Sequence, residues 1–439
     1  MGTDEQARWR RRTKPTEMES ADRRRVDILA AHISQPAPRR YVPFPIPQSS
    51  EPVKYSKAEP VVIGGMVLDI HATPSIPANP RTTTPGKVQY VLGGVARNVA
   101  LCMSKLGITS YMISAVGLDM AGKLLLEHWR SLGLPIEGIQ KCHGISSAAV
   151  CNIFDANGEL AAAVANFDVI EKFLNAEWVQ KFEINILTAP VLMVDANINH
   201  SALESCCHLA AKSNIPVWFE PVSVAKSRRV ALVAKYVAFT SPNEDELIAM
   251  ANSLCRGDTF SPILKDHSRR HSIRALFQKL KQAVQVLLEN GIATVLVTLG
   301  LDGVFLCSNG GTLTKSPFSE KDSSRGLLYK AVTSRCPSNP QFSCMKPNET
   351  SGLLTVHFPA LPASVAKLTG AGDCLVGGTI ASIVAGLDIF WSVAVGIATA
   401  KGAVESDDNV PAEYGLSKLA DDARRVYDAA TVLSHRSMM

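Results

Sequence analysis

The sequence predicts an α/β fold in which a doubly wound, mostly parallel sheet carries helices on both faces. Short runs rich in β-branched residues alternate along the chain with longer amphipathic stretches, and each short run ends in a glycine, proline, asparagine or acid. Buried parallel strands have this appearance. With 439 residues, of which 46% are hydrophobic and 19% charged, the chain can bury a large core. We expect one such domain over residues 59–439.

The alternation begins near Pro60 and continues through six strand-like runs. They are VVIGG, YMISAVG, VLMVDANI, IPVWFEP, YVAFTSP and ATVLVTLG. Between them lie segments whose apolar residues recur at helical spacing, such as VARNVALCMSKLG, HSALESCCHLAAKSN and SIRALFQKLKQAVQVLLENG. A chain that alternates strand and helix in this way builds a parallel sheet with helices on both faces.

Two segments interrupt the alternation. The run KVQYVLGG lies near the start, and SSAAVCNIFDANGELAAAVAN contains the pair Asn157-Gly158, which is typical of a tight hairpin turn. We expect these segments, about 68–92 and 147–166, to form a small β-lid over the edge of the sheet. A further segment, about 308–351, is rich in Ser, Pro, Lys and Asn and is predicted to form an exposed insertion loop.

Composition and charge exclude several classes of function. The formal net charge is +5, but residues 1–60 hold twelve Lys/Arg and eight Asp/Glu. About +1 therefore remains for the rest of the chain, and no nucleic-acid-binding face is expected. The ten cysteines include no C-x-x-C pair, which argues against a zinc site. The longest apolar stretch, Cys374–Ala400, is interrupted by Asp388, so two buried helices are predicted there instead of a membrane span.

Residues 1–58 are rich in Arg and Pro and cannot supply a core, so we expect a flexible N-terminal extension. Within it, Arg25–Ile33 (RVDILAAHI) resembles the internal peroxisomal targeting nonapeptide, although that motif usually ends in Leu or Ala. The resemblance implies a peroxisomal import receptor as partner and a peroxisomal location, with the cytosol as the alternative. A mitochondrial presequence is disfavoured by six acidic residues among the first 27. An accidental basic helix is the other alternative.

The stretch LTGAGDCLVGG, residues 368–378, points most directly to chemistry. Gly370, Ala371 and Gly372 precede a long apolar helical pattern, and small residues there leave the first N–H groups of the helix uncovered for an anion such as a phosphate. Asp373 follows directly and is placed to accept the proton of an attacking hydroxyl. A glycine-rich turn whose Asp only complements the helix dipole is the alternative explanation.

Six motifs in a fixed order resemble the PfkB, or ribokinase-like, family of sugar and nucleoside kinases. They are GGMVLD, GGVARNVALCMSKLG, AVGLDMAGKLLLEHWRSLG, SPNEDEL, VTLGLDGV and TGAGDCLVGG, and the resemblance covers residues 60–415. It implies a ribokinase-like fold, a phosphotransferase that uses ATP and Mg²⁺, and a small-molecule acceptor; use of a monovalent cation stays open. By this resemblance Asp373 is the catalytic base, and Gly370, Ala371 and Gly372 form the anion hole that stabilises the migrating phosphoryl group.

The remaining site residues are implied by the same motifs. The sugar site is implied to consist of Asp69, Gly93, Gly94 and Asn98. The nucleotide side is implied to include Asn243, Thr298, Gly300, Gly303 and Asn409, with Asn409 flanking the adenine, and Glu246 is implied in organising Mg²⁺. A strand-end cap is the alternative role for Asp69. An ordinary helix start is the alternative for the letters SPNEDEL.

Departures from the usual family signature narrow the range of possible substrates. The signature commonly begins with Asp-Thr, whereas Lys367 and Leu368 stand there in this chain. This feature and the run FEPVSVAKS resemble the pseudouridine kinase branch of the family, and the long insertion resembles its plant members. The resemblance implies phosphorylation of the 5′-hydroxyl of pseudouridine. Adenosine, inosine or a free sugar such as ribose as acceptor and a non-catalytic scaffold are the alternatives. The resemblance also implies a homodimer that pairs through the lid strands.

Overall fold

A ten-stranded sheet lies at the centre of the computed structural model, which describes residues 58–437 apart from 79–80, 156–159, 256, 258, 263–271, 310–325, 337–341 and 343–351. Four predicted features lie wholly or largely outside the described residues. These are the N-terminal extension, its nonapeptide Arg25–Ile33, the Asn157-Gly158 turn and most of the 308–351 segment.

In the described part of the chain, seven parallel strands form one side of this sheet and three antiparallel strands extend it. The parallel strands, in spatial order, are β5 (Ile139–Cys142), β4 (Tyr111–Gly117), β1 (Val61–Ile63), β8 (Leu192–Asp195), β9 (Val217–Glu220), β10 (Val237–Thr240) and β11 (Thr294–Thr298). The antiparallel strands that follow are β12 (Val304–Asn309), β13 (Gly352–Phe358) and β14 (Thr431–Ser437). All six predicted strands lie among the parallel ones, and the predicted fold class is confirmed.

Helices cover both faces of the sheet. They are α1 (Val95–Lys105), α2 (Met120–Ser131), α3 (Asp168–Phe173), α4 (Ala176–Gln180), α5 (Glu183–Thr188), α6 (His200–Lys212), α7 (Val224–Ser227), α8 (Glu244–Cys255), α9 (Ile273–Glu289), α10 (Leu327–Thr333), α11 (Ala371–Ala385), α12 (Ile389–Val404) and α13 (Leu416–Asp428). Along β1, Val61 and Ile63 belong to one apolar core and Val62 to the other. Because successive strand residues point to opposite faces, a strand buried on both faces must be continuously apolar.

The long apolar stretch forms two buried helices, α11 and α12, as the sequence predicts. A Cβ atom on Gly378 would lie 2.2 Å from Thr399 Oγ1, and one on Gly396 would lie 2.2 Å from Thr379 Oγ1. Glycine at both positions therefore lets the two helix backbones approach each other closely. No helix among the described residues is long and apolar enough to cross a membrane.

A second, four-stranded sheet contains both segments expected in the small β-lid, and we call it the lid. Its strands, in spatial order, are β3 (Gly86–Gly93), β2 (Val67–Pro74), β6 (Ala149–Phe154) and β7 (Leu160–Asn166). The pairs β3–β2 and β6–β7 are antiparallel, whereas β2 and β6 run parallel. The lid therefore combines two antiparallel pairs that are far apart in the sequence.

The strand register divides the side chains of the lid between two faces. The face that we call the Asp69 face carries Asp69, His71, Gln89, Val91, Val150 and Asn152. The face that we call the apolar face carries Ile70, Val88, Tyr90, Cys151, Ile153 and Val164. Three residues of the apolar face remain well exposed: Val88 at 59%, Tyr90 at 58% and Val164 at 72%.

The described part of the 308–351 segment corrects the prediction of an exposed loop. It contains α10, whose Leu328 and Val332 are buried. It also contains Phe342, whose ring stacks on Phe390 with the centroids 4.5 Å apart. The polar composition of the whole segment hid a short helical pattern, GLLYKAV, whose apolar residues anchor this part of the segment in the core.

Candidate active site

The N-terminus of α11 forms the base of the candidate site. Gly370 has φ +89°, and a Cβ atom there would lie 2.2 Å from the Asn409 carbonyl oxygen, so this position requires glycine. Among the described residues, no heavy atom lies within 4 Å of a Cβ built on Gly372, which leaves open space before the first turn. The first N–H groups of a helix lack partners within it and carry the positive end of its dipole. The turn formed by Gly370, Ala371 and Gly372 can therefore hold an anion.

Asp373 lies in the first turn of α11, and Asn98 orients its carboxylate. Asn98 Nδ2 donates to Asp373 Oδ2 over 2.8 Å, while Arg97 Nη1 donates to Asn98 Oδ1 over 3.0 Å. The pKa of Asp373 is raised to about 6, mainly by burial and further by the charges of Asp195 and Asp69, against the lowering effect of the Asn98 hydrogen bond. An aspartate with a pKa close to neutral pH is suited to act as a general base.

Asp69 projects from β2 of the lid towards the same site. A Cβ atom on Gly93 would lie 2.2 Å from Asp69 Oδ2, so the glycine makes room for this carboxylate. Burial raises the pKa of Asp69 to about 6, although Lys367, a hydrogen bond from Asn409 and Arg97 all lower it. A carboxylate has acceptor sites for two hydroxyl groups, as the binding of a sugar diol requires.

Gly94 and Asn409 support the architecture around Asp69. Gly94 has φ +100°, and a Cβ atom there would lie 2.4 Å from the Gly65 carbonyl oxygen. Asn409 is 2% exposed, and its Nδ2 donates to the Leu92 carbonyl oxygen over 3.3 Å. The side chain of Asn409 is thus enclosed between the lid and the start of α11, and its predicted place beside the adenine stays a prediction.

Asp195, at the end of β8, is a site residue that the sequence analysis missed. It is fully buried and accepts hydrogen bonds from the backbone N–H groups of Gly65 over 3.0 Å, Ala96 over 3.3 Å and Asn197 over 2.9 Å. It thereby joins the turn after β1 to the first turn of α1, which carries Asn98. The available signal was an acid at the end of a buried strand, where open α/β sheets collect functional side chains.

Asn243 and Glu246 form a reciprocal capping box at the start of α8. The Asn243 N–H donates to Glu246 Oε2 over 2.9 Å, and the Glu246 N–H donates to Asn243 Oδ1 over 2.9 Å. The ordinary helix start foreseen as the alternative is thus present. The box uses one oxygen of Glu246, so it does not by itself occupy the whole carboxylate.

Glu220, at the end of β9, brings a further acid to the site. It accepts a hydrogen bond from the Ser241 hydroxyl. Its pKa is raised well above the usual range by burial and by the charges of Glu246, Asp373 and Asp195. Within the described residues, no three His, Cys, Asp or Glu side chains are grouped to hold a metal ion by themselves. Mg²⁺ is commonly held by one or two carboxylates together with water and substrate phosphates, and this arrangement fits that mode.

Thr298, Gly300 and Gly303 lie at or just beyond the end of β11. The Thr298 N–H donates to the Pro242 carbonyl oxygen over 2.9 Å, which ties this end to the segment before α8. Gly300 has φ +59°, and the described residues leave open space around a Cβ atom there. A Cβ atom on Gly303 would lie 2.0 Å from the Phe358 carbonyl oxygen. The small size of Gly303 is therefore needed for the contact with β13, and its predicted place along the nucleotide stays a prediction.

A row of polar side chains on the Asp69 face was also missed. His71 lies opposite Gln89 on one side and Asn152 on the other, two residues beyond Asp69 along β2. Neither Gln89 nor Asn152 has a side-chain hydrogen bond to another described residue. The sequence carried no usable signal for this row, because the face of each side chain depends on the pairing register.

Comparison with known proteins agrees with the family that the motifs indicate. A sequence profile of the pfkB family carbohydrate kinases matches residues 57–322. The pseudouridine kinase of Arabidopsis thaliana is 51% identical over 382 residues, which cover 87% of this chain and 100% of that protein. The pseudouridine kinase of Escherichia coli K12 is 29% identical over 186 residues, which cover 42% of this chain and 58% of that protein.

Solved structures share the fold at low sequence identity. The ribokinase of Arabidopsis thaliana, complexed with ribose and ATP, matches with a TM-score of 0.62 at 18% identity, over 83% of this chain and 99% of that chain. The ribokinase of Cryptococcus neoformans, in complex with ADP, matches with a TM-score of 0.59 at 17% identity, over 83% and 99% of the two chains. Together with the matched profile, these relatives identify the chain as a member of the pfkB family of carbohydrate kinases.

Proposed function

We propose that this protein is a pseudouridine kinase, which transfers the γ-phosphoryl group of ATP to the 5′-hydroxyl of pseudouridine. The product is pseudouridine 5′-phosphate, and the carbon–carbon glycosidic bond stays intact, so a separate enzyme of pseudouridine catabolism must cleave it. The observation that carries the proposal is Asp373, held by Asn98 beside an anion-binding helix terminus. The substrate is supported by the 51% identity to a pseudouridine kinase whose whole length is covered.

In this mechanism Asp373 removes the proton from the 5′-hydroxyl while the hydroxyl oxygen attacks phosphorus. The N–H groups of Gly370, Ala371 and Gly372, at the N-cap and in the first turn of α11, stabilise the charge on the migrating phosphoryl group, and the Ala371 N–H then gives up its 3.4 Å bond to the Leu368 carbonyl oxygen. Asp69 accepts hydrogen bonds from ribose hydroxyls and so aligns the nucleoside for attack. Asn98, on α1, keeps the carboxylate of Asp373 oriented at the start of α11.

The nucleotide and its metal ion are assigned to the ends of β9 to β11. Mg²⁺, when bound, neutralises charge on the phosphates, and Glu246 and Glu220 would hold it together with water. The fit rests on the donor set, because the capping box uses only one oxygen of Glu246 and Glu220 ends the neighbouring strand β9. Asn243, Thr298 and Gly300 would lie along the nucleotide. Use of a monovalent cation stays a prediction.

The polar row of the lid supports recognition of the base. In pseudouridine the uracil ring is attached through carbon 5, so its N1–H donor occupies the place of the C5–H group of uridine. The side-chain amides of Gln89 and Asn152 each offer one acceptor and donors. An amide oxygen that faces N1–H would favour pseudouridine, because uridine leaves that acceptor without a partner.

The apolar face of the lid is proposed to pair with the same face of a second copy, giving a homodimer. Val88 and Tyr90 on β3 and Val164 on β7, the two outer strands of the lid, are more than half exposed there, and Ile153 on β6 is 42% exposed. Such a cluster on an otherwise polar surface marks an interaction site. A two-fold contact would cover both copies of this patch at once.

Residues Arg25–Ile33 are proposed to direct the protein to peroxisomes. A fluorescent protein fused to residues 1–45 is expected to give punctate signal that overlaps a peroxisomal marker. The matched control carries Arg25→Ala and His32→Ala, which remove the two polar anchor positions of the nonapeptide. Diffuse signal from the unmodified fusion would contradict this location and favour the cytosol.

The activity is tested by ATP consumption of the purified protein with Mg²⁺. Pseudouridine is compared with uridine, adenosine, inosine, ribose and fructose at equal concentration, and the Asp373→Asn variant serves as control. We expect strong preference for pseudouridine. Preference for another acceptor would keep the kinase and overturn its substrate, whereas no turnover with any acceptor would support a non-catalytic scaffold.

A further inference from the structure

In the described part of the chain, the lid is joined to the rest of the molecule at four crossings. They lie between β1 and β2, between β3 and α1, between β5 and β6, and between β7 and α3. Asp195 fixes the first two, because its Oδ2 accepts from the N–H groups of Gly65 in the first and of Ala96 just beyond the second, over 3.0 Å and 3.3 Å. The last crossing is a single residue, Phe167. The place of the lid over the site therefore depends on how these crossings are held.

Lys226 connects Phe167 to Asp195. Its ammonium lies 4.1 Å from the centre of the Phe167 ring, whose electron-rich face attracts a cation. The same ammonium donates to Asn197 Oδ1 over 2.6 Å, and Asn197 Nδ2 donates to Asp195 Oδ2 over 3.1 Å. Asn197 is 5% exposed, so this link is shielded from water and thereby strengthened. A continuous series of contacts therefore runs from the end of β7 to the turn after β1.

A strained turn after β9 brings Lys226 to this place. Val222 has φ +67°, which a β-branched residue rarely adopts, and the Ser223 N–H donates to the Pro221 carbonyl oxygen over 2.7 Å. Together they define a three-residue γ-turn with a positive φ, which is rare and strained. Ser223 then caps α7, whose third residue is Lys226. Such strain persists only where the surrounding structure imposes it, and it is concentrated at functional sites.

A neighbouring cation, Arg229, holds the backbone of the loop after β8. It donates to the carbonyl oxygens of residues 196–198, and it pairs with Glu171 over 3.3 Å. The loop therefore keeps its backbone position without Lys226. The separate contribution of Lys226 is the link from this loop to Phe167.

We propose that Lys226 is a positioning residue that fastens the end of β7 to Asn197 and Asp195. The lid and its Asp69 are thereby held at a fixed place relative to Asp373. Asp195 also holds the first turn of α1, the helix that orients the base, so one carboxylate serves both the nucleoside site and the catalytic site. The inference rests on the proposed function insofar as Asp69 binds the ribose. Lys226 acts through these contacts and takes no part in the transfer of the phosphoryl group.

The kinetic test compares Lys226→Met, which keeps the apolar stem, with Lys226→Arg, which keeps a cation that can face the ring and donate to the amide. The control is Lys181→Met, because the Lys181 ammonium also lies over a ring, 4.7 Å from the centre of that of Trp178, but outside the lid and its crossings. In Lys226→Met, we expect KM for pseudouridine to rise about tenfold. KM for ATP is unchanged, and kcat/KM for uridine falls by the same factor as for pseudouridine. Lys226→Arg and the control stay close to the wild type.

Two kinetic results would overturn the inference. A purely structural role would reduce the amount of active enzyme, so kcat would fall while KM for pseudouridine stayed the same. A loss confined to pseudouridine, with uridine unaffected, would mean that Lys226 contacts the base and does not act through the lid.

Hydrogen–deuterium exchange of the protein without substrates separates failure of this inference from failure of the proposed function. In Lys226→Met, we expect backbone amides around Phe167 and Gly65 to exchange about tenfold faster, and those of α13, outside the crossings, to be unchanged. This result supports the inference whichever nucleoside the enzyme uses. Unchanged exchange at both crossings overturns it. An equal increase over the whole chain also overturns it, because Lys226 would then support only the overall stability.

Discussion

Asp373 shows how far single residues could be understood from the sequence. Its place in the first turn of a helix was predictable, and its role as base could be proposed, because a small-residue turn, a helix start and an adjacent acid are local features. Its partner and its pKa were not, because Asn98 is separated from it by 275 positions and only the fold joins them. Asn409 illustrates the same limit, since a loose local match suggested a place beside the adenine and gave no sign that the fold buries its side chain.

Replacement of Asp373 by Asn is expected to lower kcat by about 10²- to 10⁴-fold, because the proton of the attacking hydroxyl loses its acceptor. The Asn side chain has the same shape and its oxygen can still accept from Asn98, so KM for ATP is expected to change little. The measurement is steady-state ATP consumption with pseudouridine. Activity close to that of the wild type would contradict the role of Asp373 as base.

The same substitution is expected to stabilise the protein at alkaline pH. The pKa of Asp373 is about 6 in the folded chain, which lies above its usual value. The stability that protonation provides is therefore complete below about pH 4 and is lost as the pH rises through about 6. Asn cannot ionise, so Asp373→Asn should exceed the wild type by up to about 3 kcal/mol in free energy of unfolding at pH 8 and match it near pH 4.

Urea unfolding at these two pH values measures the difference. The exposed Asp302→Asn substitution is the control for loss of a negative charge. An equal advantage of Asp373→Asn at both pH values would mean that packing, and not ionisation, explains it.

At the scale of elements, the strands of the lid could be predicted from the sequence, but the face to which each side chain points could not. The alternating runs and the Asn157-Gly158 pair indicated two hairpin-like segments. The parallel pairing of β2 with β6 brings together segments far apart in the chain, and it decides that Asn152 lies beside His71. A shift of one residue would have moved every side chain to the opposite face, so no local pattern could settle which residues line the site.

Replacement of Asn152 or Gln89 by Ala is expected to reduce the preference for pseudouridine over uridine by about tenfold or more, because the acceptor for N1–H is lost. The ratio of kcat/KM for the two nucleosides is the measurement. Asn152→Asp and Gln89→Glu each retain an acceptor, so the residue that faces N1–H is the one whose acidic variant keeps the preference.

The control for the Asn152 and Gln89 variants is Cys151→Ala, because Cys151 is next to Asn152 in β6 but lies on the apolar face. It tests whether any change in β6 disturbs the lid. If both alanine variants keep the wild-type ratio, base recognition lies elsewhere. If Cys151→Ala lowers the ratio equally, the effect comes from strand packing.

At the scale of the whole molecule, the parallel sheet was predictable and its antiparallel edge was not. Each strand–helix–strand unit is local in sequence, so the alternation itself indicated a doubly wound sheet. The pairing of β14 with β13 joins distant segments and left no periodic signal. The site depends both on local strand–helix units and on pairings between distant segments. Asp69 comes from the lid, Asp195 and Glu220 come from strand ends, and Asp373 comes from a helix.

The apolar face of the lid gives a prediction about assembly. If two copies pair through it, the protein will have twice the 47.2 kDa mass of one chain in solution. The double variant Tyr90→Asp and Val164→Asp, which places charges on two exposed apolar positions in different strands, should then be monomeric, because unpaired buried charges are costly. Light scattering after size exclusion measures the mass. Ile184→Asp, on α5 and 74% exposed, is the matched control and should stay dimeric. A monomeric wild type, or a dimer that survives the double variant, would show that the lid strands do not form the interface.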